Sequence, residues 1–120
     1  MGRILLVDDE PLFLEGMKPY LEGKGYSVET AADGKTALEL ARRLQPALIL
    51  LDVMMPGLNG FEVLAQLKLD PKTSRVQVVM LTAKGETESI RWSQQFGAVD
   101  YLIKPFSPED LLQVIKHYVL

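Results

Sequence analysis

The run Leu48-Ile49-Leu50-Leu51-Asp52 constrains the fold of this chain more than any other stretch. Four consecutive apolar residues that stop on an acid describe a strand buried on both faces, as in a parallel sheet. Pro56-Gly57 then makes a turn, and Asn59 with Glu62 three residues later is a capping-box pattern that starts a helix. In open α/β sheets, ligands bind in the crevice outside the carboxyl ends of the strands. Asp52 stands at such an end.

The rest of the chain repeats this unit. Ile4-Leu5-Leu6-Val7 ends on Asp8-Asp9-Glu10, the run 76–81 ends on Thr82, and 99–103 ends on Lys104-Pro105. Residues 26–31 alternate and read as an edge strand. Helical patterns lie between these runs. The first goes from Pro11 to about Gly23, with Phe13, Met17, Tyr20 and Leu21 on one face. The second goes from Gly34 to Leu44, capped by Asp33 and stopped by Pro46. A third spans about 60–69, and a weaker one spans 86–96, closed by Gly97. The last starts at Ser107-Pro108-Glu109-Asp110 and carries Leu111, Leu112, Val114, Ile115, Tyr118 and Val119 at helical spacing. Pro19 removes a hydrogen bond to the Glu15 carbonyl and predicts a kinked or loosened first helix. Strands alternating with helices, joined by right-handed crossovers, give an α/β fold. The expected architecture is a doubly wound five-stranded parallel sheet, order 2-1-3-4-5, with helices on both faces, flavodoxin-like. The 120 residues suit a single domain, 1–120, without linker or repeat.

Composition narrows the chemistry. A net charge of -3 supplies no basic stripe, which argues against a direct nucleic-acid partner. No cysteine and a single histidine, His117, exclude disulfides, thiolate chemistry and a histidine-rich zinc site. No apolar run approaches the roughly 18 residues of a membrane span. The first strand begins too early to leave room for a signal peptide, so the expected location is cytoplasmic, with no membrane partner.

Four of the five runs deliver polar groups to one edge: Asp8 and Asp9, then Asp52, Thr82 and Lys104. At about 4 Å and an effective dielectric near 20, each pair of like charges there costs roughly 4 kcal/mol. A divalent cation removes that cost, and an all-oxygen site without His or Cys suits Mg²⁺. Cation and Lys104 would together attract a phosphoryl group, and an Asp carboxylate is already an ionised nucleophile at neutral pH. The Thr82 hydroxyl can hydrogen-bond a phosphoryl oxygen. The chemistry these residues point to is formation of an aspartyl phosphate.

Val7-Asp8-Asp9-Glu10, the stretch Leu51-Asp52 to Gly60, Leu81-Thr82-Ala83, and Gly97 to Tyr101 leading into Lys104-Pro105-Phe106 resemble the receiver domain of two-component response regulators, over nearly the whole chain. The resemblance implies that Asp52 accepts a phosphoryl group from a histidine kinase or phosphotransfer protein. It implies Asp9 and Asp52 as direct Mg²⁺ ligands, with the Met54 carbonyl and with Asp8 acting mostly through water. It further implies Lys104 as the partner of a phosphoryl oxygen, a cis Lys104-Pro105 peptide, and Thr82 with Tyr101 as a switch pair. Such a protein is a phosphorelay signal receiver and not an enzyme. Its output partner or output domain would meet helix 86–96, strand 99–103 and the last helix. Gly16 and Pro19 depart from the usual pattern on the kinase-docking helix. The alternative is a Mg²⁺-dependent aspartyl-phosphate phosphohydrolase, which needs a second acid where Met54 stands. A phosphorylation-independent scaffold is a third reading, against which the intact site argues. Met54 and Lys84 are expected to flank the path of an attacking water and prolong the phosphate's lifetime. Trp92 reads equally as core or as an exposed contact.

Overall fold

A computed structural model describes residues 2–83 and 87–119. In chain order the elements are β1 (Arg3–Val7), α1 (Pro11–Glu22), β2 (Ser27–Ala31), α2 (Gly34–Leu44) and β3 (Leu48–Asp52). After these come α3 (Gly60–Leu69), β4 (Gln77–Ala83), α4 (Thr87–Gln95), β5 (Asp100–Lys104) and α5 (Pro108–Tyr118). The sheet is parallel throughout, in the order β2-β1-β3-β4-β5. Register pairs Val7 with Leu51, Asp52 with Leu81, and Thr82 with Ile103, which brings the carboxyl ends of the four adjacent strands to one edge.

Side chains alternate across the pleat, and both faces are covered. Leu5, Val7, Ile49 and Leu51 pack with Ala37, Leu38 and Ala41 of α2 and with Val63, Leu64 and Leu67 of α3. Ile4, Leu6, Leu48 and Leu50 pack on the other face with Leu14, Met17 and Leu21 of α1 and with Leu111, Leu112 and Ile115 of α5. All five residues of β3 are buried, Asp52 included.

Three details differ from the reading of the sequence. Helix α1 presents Leu14, Met17 and Leu21 to the core, while Phe13 and Tyr20 lie at its margin. It runs unbroken past Pro19, and the Gly23 N–H donates to the Pro19 carbonyl at 2.9 Å. Pro19 lies in the last turn, so the bond it forfeits has little helix beyond it to disturb. Strand β4 continues through Thr82 to Ala83, which leaves Thr82 inside the ladder and not after it. Glu86, expected to begin the fourth helix, and Lys84 lie outside the described residues.

Capping follows the expected chemistry where local partners exist. Asn59 and Glu62 close a capping box on α3, as Ser107 and Asp110 do on α5. On the outer edge of the sheet, the Lys18 ammonium of α1 donates to the Val28 carbonyl of β2 at 2.8 Å. Among the described residues no helix is long and apolar enough to cross a membrane.

Candidate functional site

Strands β1 and β3 are neighbours, so Asp8, directly after β1, lies beside Asp52, the last residue of β3. Both carboxylates are buried and Asp9 is half-buried. One carboxylate oxygen from each of the three lies within 4.8 Å of the others. One Asp8 contact is local: its Oδ1 accepts the Glu10 N–H at 3.0 Å, in front of a helix whose own N-cap has no side-chain bond. Asp8 thus serves both the start of α1 and the acid cluster.

Lys104 arrives from the far edge of the sheet. It ends β5, with β4 between that strand and β3, and its side chain spans the gap. Its ammonium donates to Asp52 Oδ1 at 3.1 Å and to Asp8 Oδ2 at 3.3 Å. Burial works to lower the lysine's pKa. The hydrogen bond and charge of Asp52, with those of Asp8, outweigh it and hold the ammonium above the ordinary lysine value. For Asp52 the balance goes the other way. Burial first, then the charge of Asp8, push its pKa up to about 6 against the pull of Lys104 and the Met54 N–H.

The loop after Asp52 is tightly closed. The Val53 N–H donates to the Leu81 carbonyl at 3.0 Å, and the Gly60 N–H donates to the Val53 carbonyl at 2.9 Å. A methyl group at Gly60 would collide with the Asp52 carbonyl oxygen and with Val53 Cα, so only glycine lets α3 start this close to the strand. Met54, within the loop, is 63% exposed.

Thr82 is buried at the neighbouring strand end, and its hydroxyl donates to the Ala83 carbonyl at 3.0 Å, not to Asp52. Tyr101 pairs in register with Met80 and is half-buried against the cluster that includes Val78 and Met80. The fold therefore brings Asp8, Asp9, Asp52 and Lys104 into one cluster, with Thr82 beside it and Tyr101 further down β5. The Lys104-Pro105 peptide is cis. Residue patterns gave no sign of a cavity of about 210 Å³ beside the acids, lined by Asp8, Glu10, Phe13, Lys104, Pro105 and Phe106. Phe13 and Phe106 meet edge to face there, at 5.9 Å between centroids. Phe13 reads as a core residue from helical spacing alone, because its ring partner comes from the other end of the chain.

Three carboxylates against one ammonium leave a surplus of two negative charges on an all-oxygen donor set. That surplus and that donor chemistry fit a divalent ion of the Mg²⁺ type.

A five-stranded parallel sheet with this order, and an acid cluster countered by a lysine at its switch point, defines a receiver-type signalling domain. Residues 4–116 match the family model described as the response regulator receiver domain, and the chain belongs to that family. It is 41% identical to protein PilH of Pseudomonas aeruginosa, covering 95% of both chains to within one per cent (96% of this chain, 95% of PilH). It is 42% identical to the DNA-binding response regulator MtrA of Mycolicibacterium smegmatis over 95% of this chain, yet spans only 49% of that protein's length. Among solved structures, the chemotaxis protein CheY4 of Vibrio cholerae superposes with a TM-score of 0.92 at 34% identity, with 99% of each chain covered. The chain is thus a two-component signal receiver with the expected flavodoxin-like sheet.

Proposed function

We propose that this receiver takes a phosphoryl group on Asp52 from the phosphohistidine of a histidine kinase or phosphotransfer protein. The observation that carries the reading is the Asp52 carboxylate itself: buried, at the end of the central strand, and held 3.1 Å from the Lys104 ammonium. A carboxylate oxygen forms the new P–O bond as the donor's P–N bond breaks, and the imidazole leaves with the electron pair. Lys104, already spanning Asp52 and Asp8, turns to a phosphoryl oxygen as charge accumulates there. Asp9 and Asp52 would hold Mg²⁺, joined by the Met54 carbonyl and, through water, by Asp8. The ion supplies charge neutralisation of the cluster and of the incoming phosphoryl oxygens.

Thr82 is the group that reports the event. Its hydroxyl leaves the Ala83 carbonyl for a phosphoryl oxygen, and Tyr101 turns into the space released. The surface of α4, β5 and α5 then becomes the face for the output partner, by a shift between two populated states. The role is signalling and not turnover, in the cytoplasm, within a single receiver unit spanning 1–120. Output through DNA belongs to relatives such as the DNA-binding response regulator MtrA; a net charge of -3 does not favour it for this chain.

The test is phosphate incorporation from acetyl phosphate with and without Mg²⁺. Wild-type protein should label only with the metal, and Asp52→Asn should not label at all. Labelling of that variant at the wild-type level would refute the assignment.

A further inference from the structure

None of the described side chains of helix α4 is fully buried. Its fastening is aromatic. The Trp92 ring meets Phe61 of α3 at 4.8 Å between centroids and an interplanar angle of 64°. On its other side it stacks on Phe96 at 4.0 Å and 18°. Immediately beyond, the turn at Gly97 (φ +96) lies on the Lys68 stem, where a Cβ would come within 3.3 Å of Lys68 Cε. Lys68 is itself pinned, its ammonium donating to the carbonyls of Ser74 at 3.2 Å and Val76 at 2.8 Å. Beside the packing of Trp92 on the cluster that includes Val78 and Met80 of β4, two supports of the α4 carboxyl end therefore come from α3.

The origin of α3 matters. Phe61 follows Gly60, the residue seated against the Asp52 backbone with no room for a methyl group. A continuous set of contacts thus runs from the backbone of Asp52 through Gly60 and Phe61 to Trp92 and Phe96. It passes through neither Thr82 nor Tyr101. We propose that the Phe61–Trp92–Phe96 stack is a second coupling element, which makes the position of α4 respond to the occupancy of Asp52 through α3. This rests on Asp52 being the phosphoacceptor, as above.

The physical reason is steepness. Dispersion contacts lose a quarter to a half of their strength over a gap of roughly 0.5–1 Å. A small adjustment of the 53–59 loop around a phosphoryl group is handed on by a helix start that has no slack. On a helix with no fully buried side chain among the described ones, loss of one aromatic pair shifts the balance of α4 positions roughly two- to ten-fold. A set of contacts is not by itself coupling, so the test must measure coupling.

Trp92 is the only tryptophan, so its emission and acrylamide quenching read the stack directly. The probe is trifluoroberyllate with Mg²⁺, a phosphoryl mimic whose binding is followed separately by its fluorine resonance. In wild-type protein, bound probe should raise Trp92 quenching, and Thr82→Ala should keep most of that rise. Phe61→Leu should raise quenching before any probe is added and remove most of the further change, whereas Phe61→Tyr, which keeps the ring, should behave as wild type. With probe bound, an unresponsive Trp92 in wild type would overturn the proposal. So would a response lost in Thr82→Ala but kept in Phe61→Leu. Failure of the wild-type protein to bind probe would instead strike the phosphoacceptor reading, and this inference with it.

Discussion

Strands β3 and β5 both end on a charged member of the same cluster, Asp52 and Lys104, yet they are built differently. Every residue of β3 is buried, between helices on both faces. No residue of β5 is, and Ile103 is 41% exposed. A group at the end of a strand packed on both faces can open only with the whole domain, whereas an edge strand opens at lower cost. The proposed phosphoacceptor therefore sits on the part that cannot yield, and its counter-ion sits on the part that can. Lys104 joins the two, so a change of charge at Asp52 is felt first on the looser strand.

The largest effect that sharpens this contrast is a truncation in each strand. Leu50→Ala in β3 should lower stability by about 2–5 kcal/mol, because the cavity is closed on all sides. Ile103→Ala in β5 should lower it by less than about 1 kcal/mol. Denaturant midpoints of the two variants measure this, and equal losses would break the comparison.

Next in size is the dependence of stability on pH without divalent metal. The Asp52 pKa in the folded protein, about 6, lies above its ordinary value of 3.8. Folded protein then holds the extra proton between those values, so this group's contribution is complete below about pH 4 and is lost as pH rises through about 6. The loss amounts to at most about 3 kcal/mol. Asp52→Asn should therefore gain stability over wild type on going from pH 4 to pH 7, measured by urea unfolding in EDTA. A difference that stays constant across that window would mean that β3 does not hold its acid as described. Lys104→Met, which removes the opposing charge, should steepen the slope.

The smallest effect concerns what holds the start of β5. The Tyr118 hydroxyl donates its single proton to Asp100 Oδ2 at 2.8 Å, with the Val99 carbonyl also within reach at 3.2 Å, tying the end of α5 to the start of the strand. Tyr118→Phe should cost about 1 kcal/mol. Amide exchange should quicken over 100–104 and stay unchanged over 48–52; acceleration in both strands would argue that they open together.

Local chemistry and the meeting of strand ends were legible in the sequence, and the side-chain partners across the sheet were not. The apolar run 48–51, the Asn59–Glu62 box and the Asp33 cap each concern residues a few positions apart, and each forms where the pattern put it. The convergence of Asp8, Asp9, Asp52 and Lys104 could be inferred because every strand of a parallel sheet points its carboxyl end the same way. The reach of Lys104 across β4 to two acids at once, and the hydroxyl partner of Thr82, depend on side-chain geometry that no periodicity encodes. In α1 the spacing does not single out Leu14, because Gly16 and Pro19 dilute the apolar stripe that marks the core face. The spacing of Trp92 and Phe96 is visible in the sequence, but Phe61, which completes the stack, belongs to another helix.

The bond from Lys18 to Val28 bears on a matter apart from signalling. The Ser27 N–H and the Ala31 carbonyl bond toward β1, so Val28, an odd number of residues from each, turns its backbone outward on the free side of the sheet. Unpaired strand edges are templates on which other chains can add and polymerise. Here the outward carbonyl is already occupied by an ammonium from the same molecule, and a strand approaching that edge meets a positive charge in place of an acceptor. One lysine on a helix thereby takes from this edge an acceptor on which an added strand would have to build.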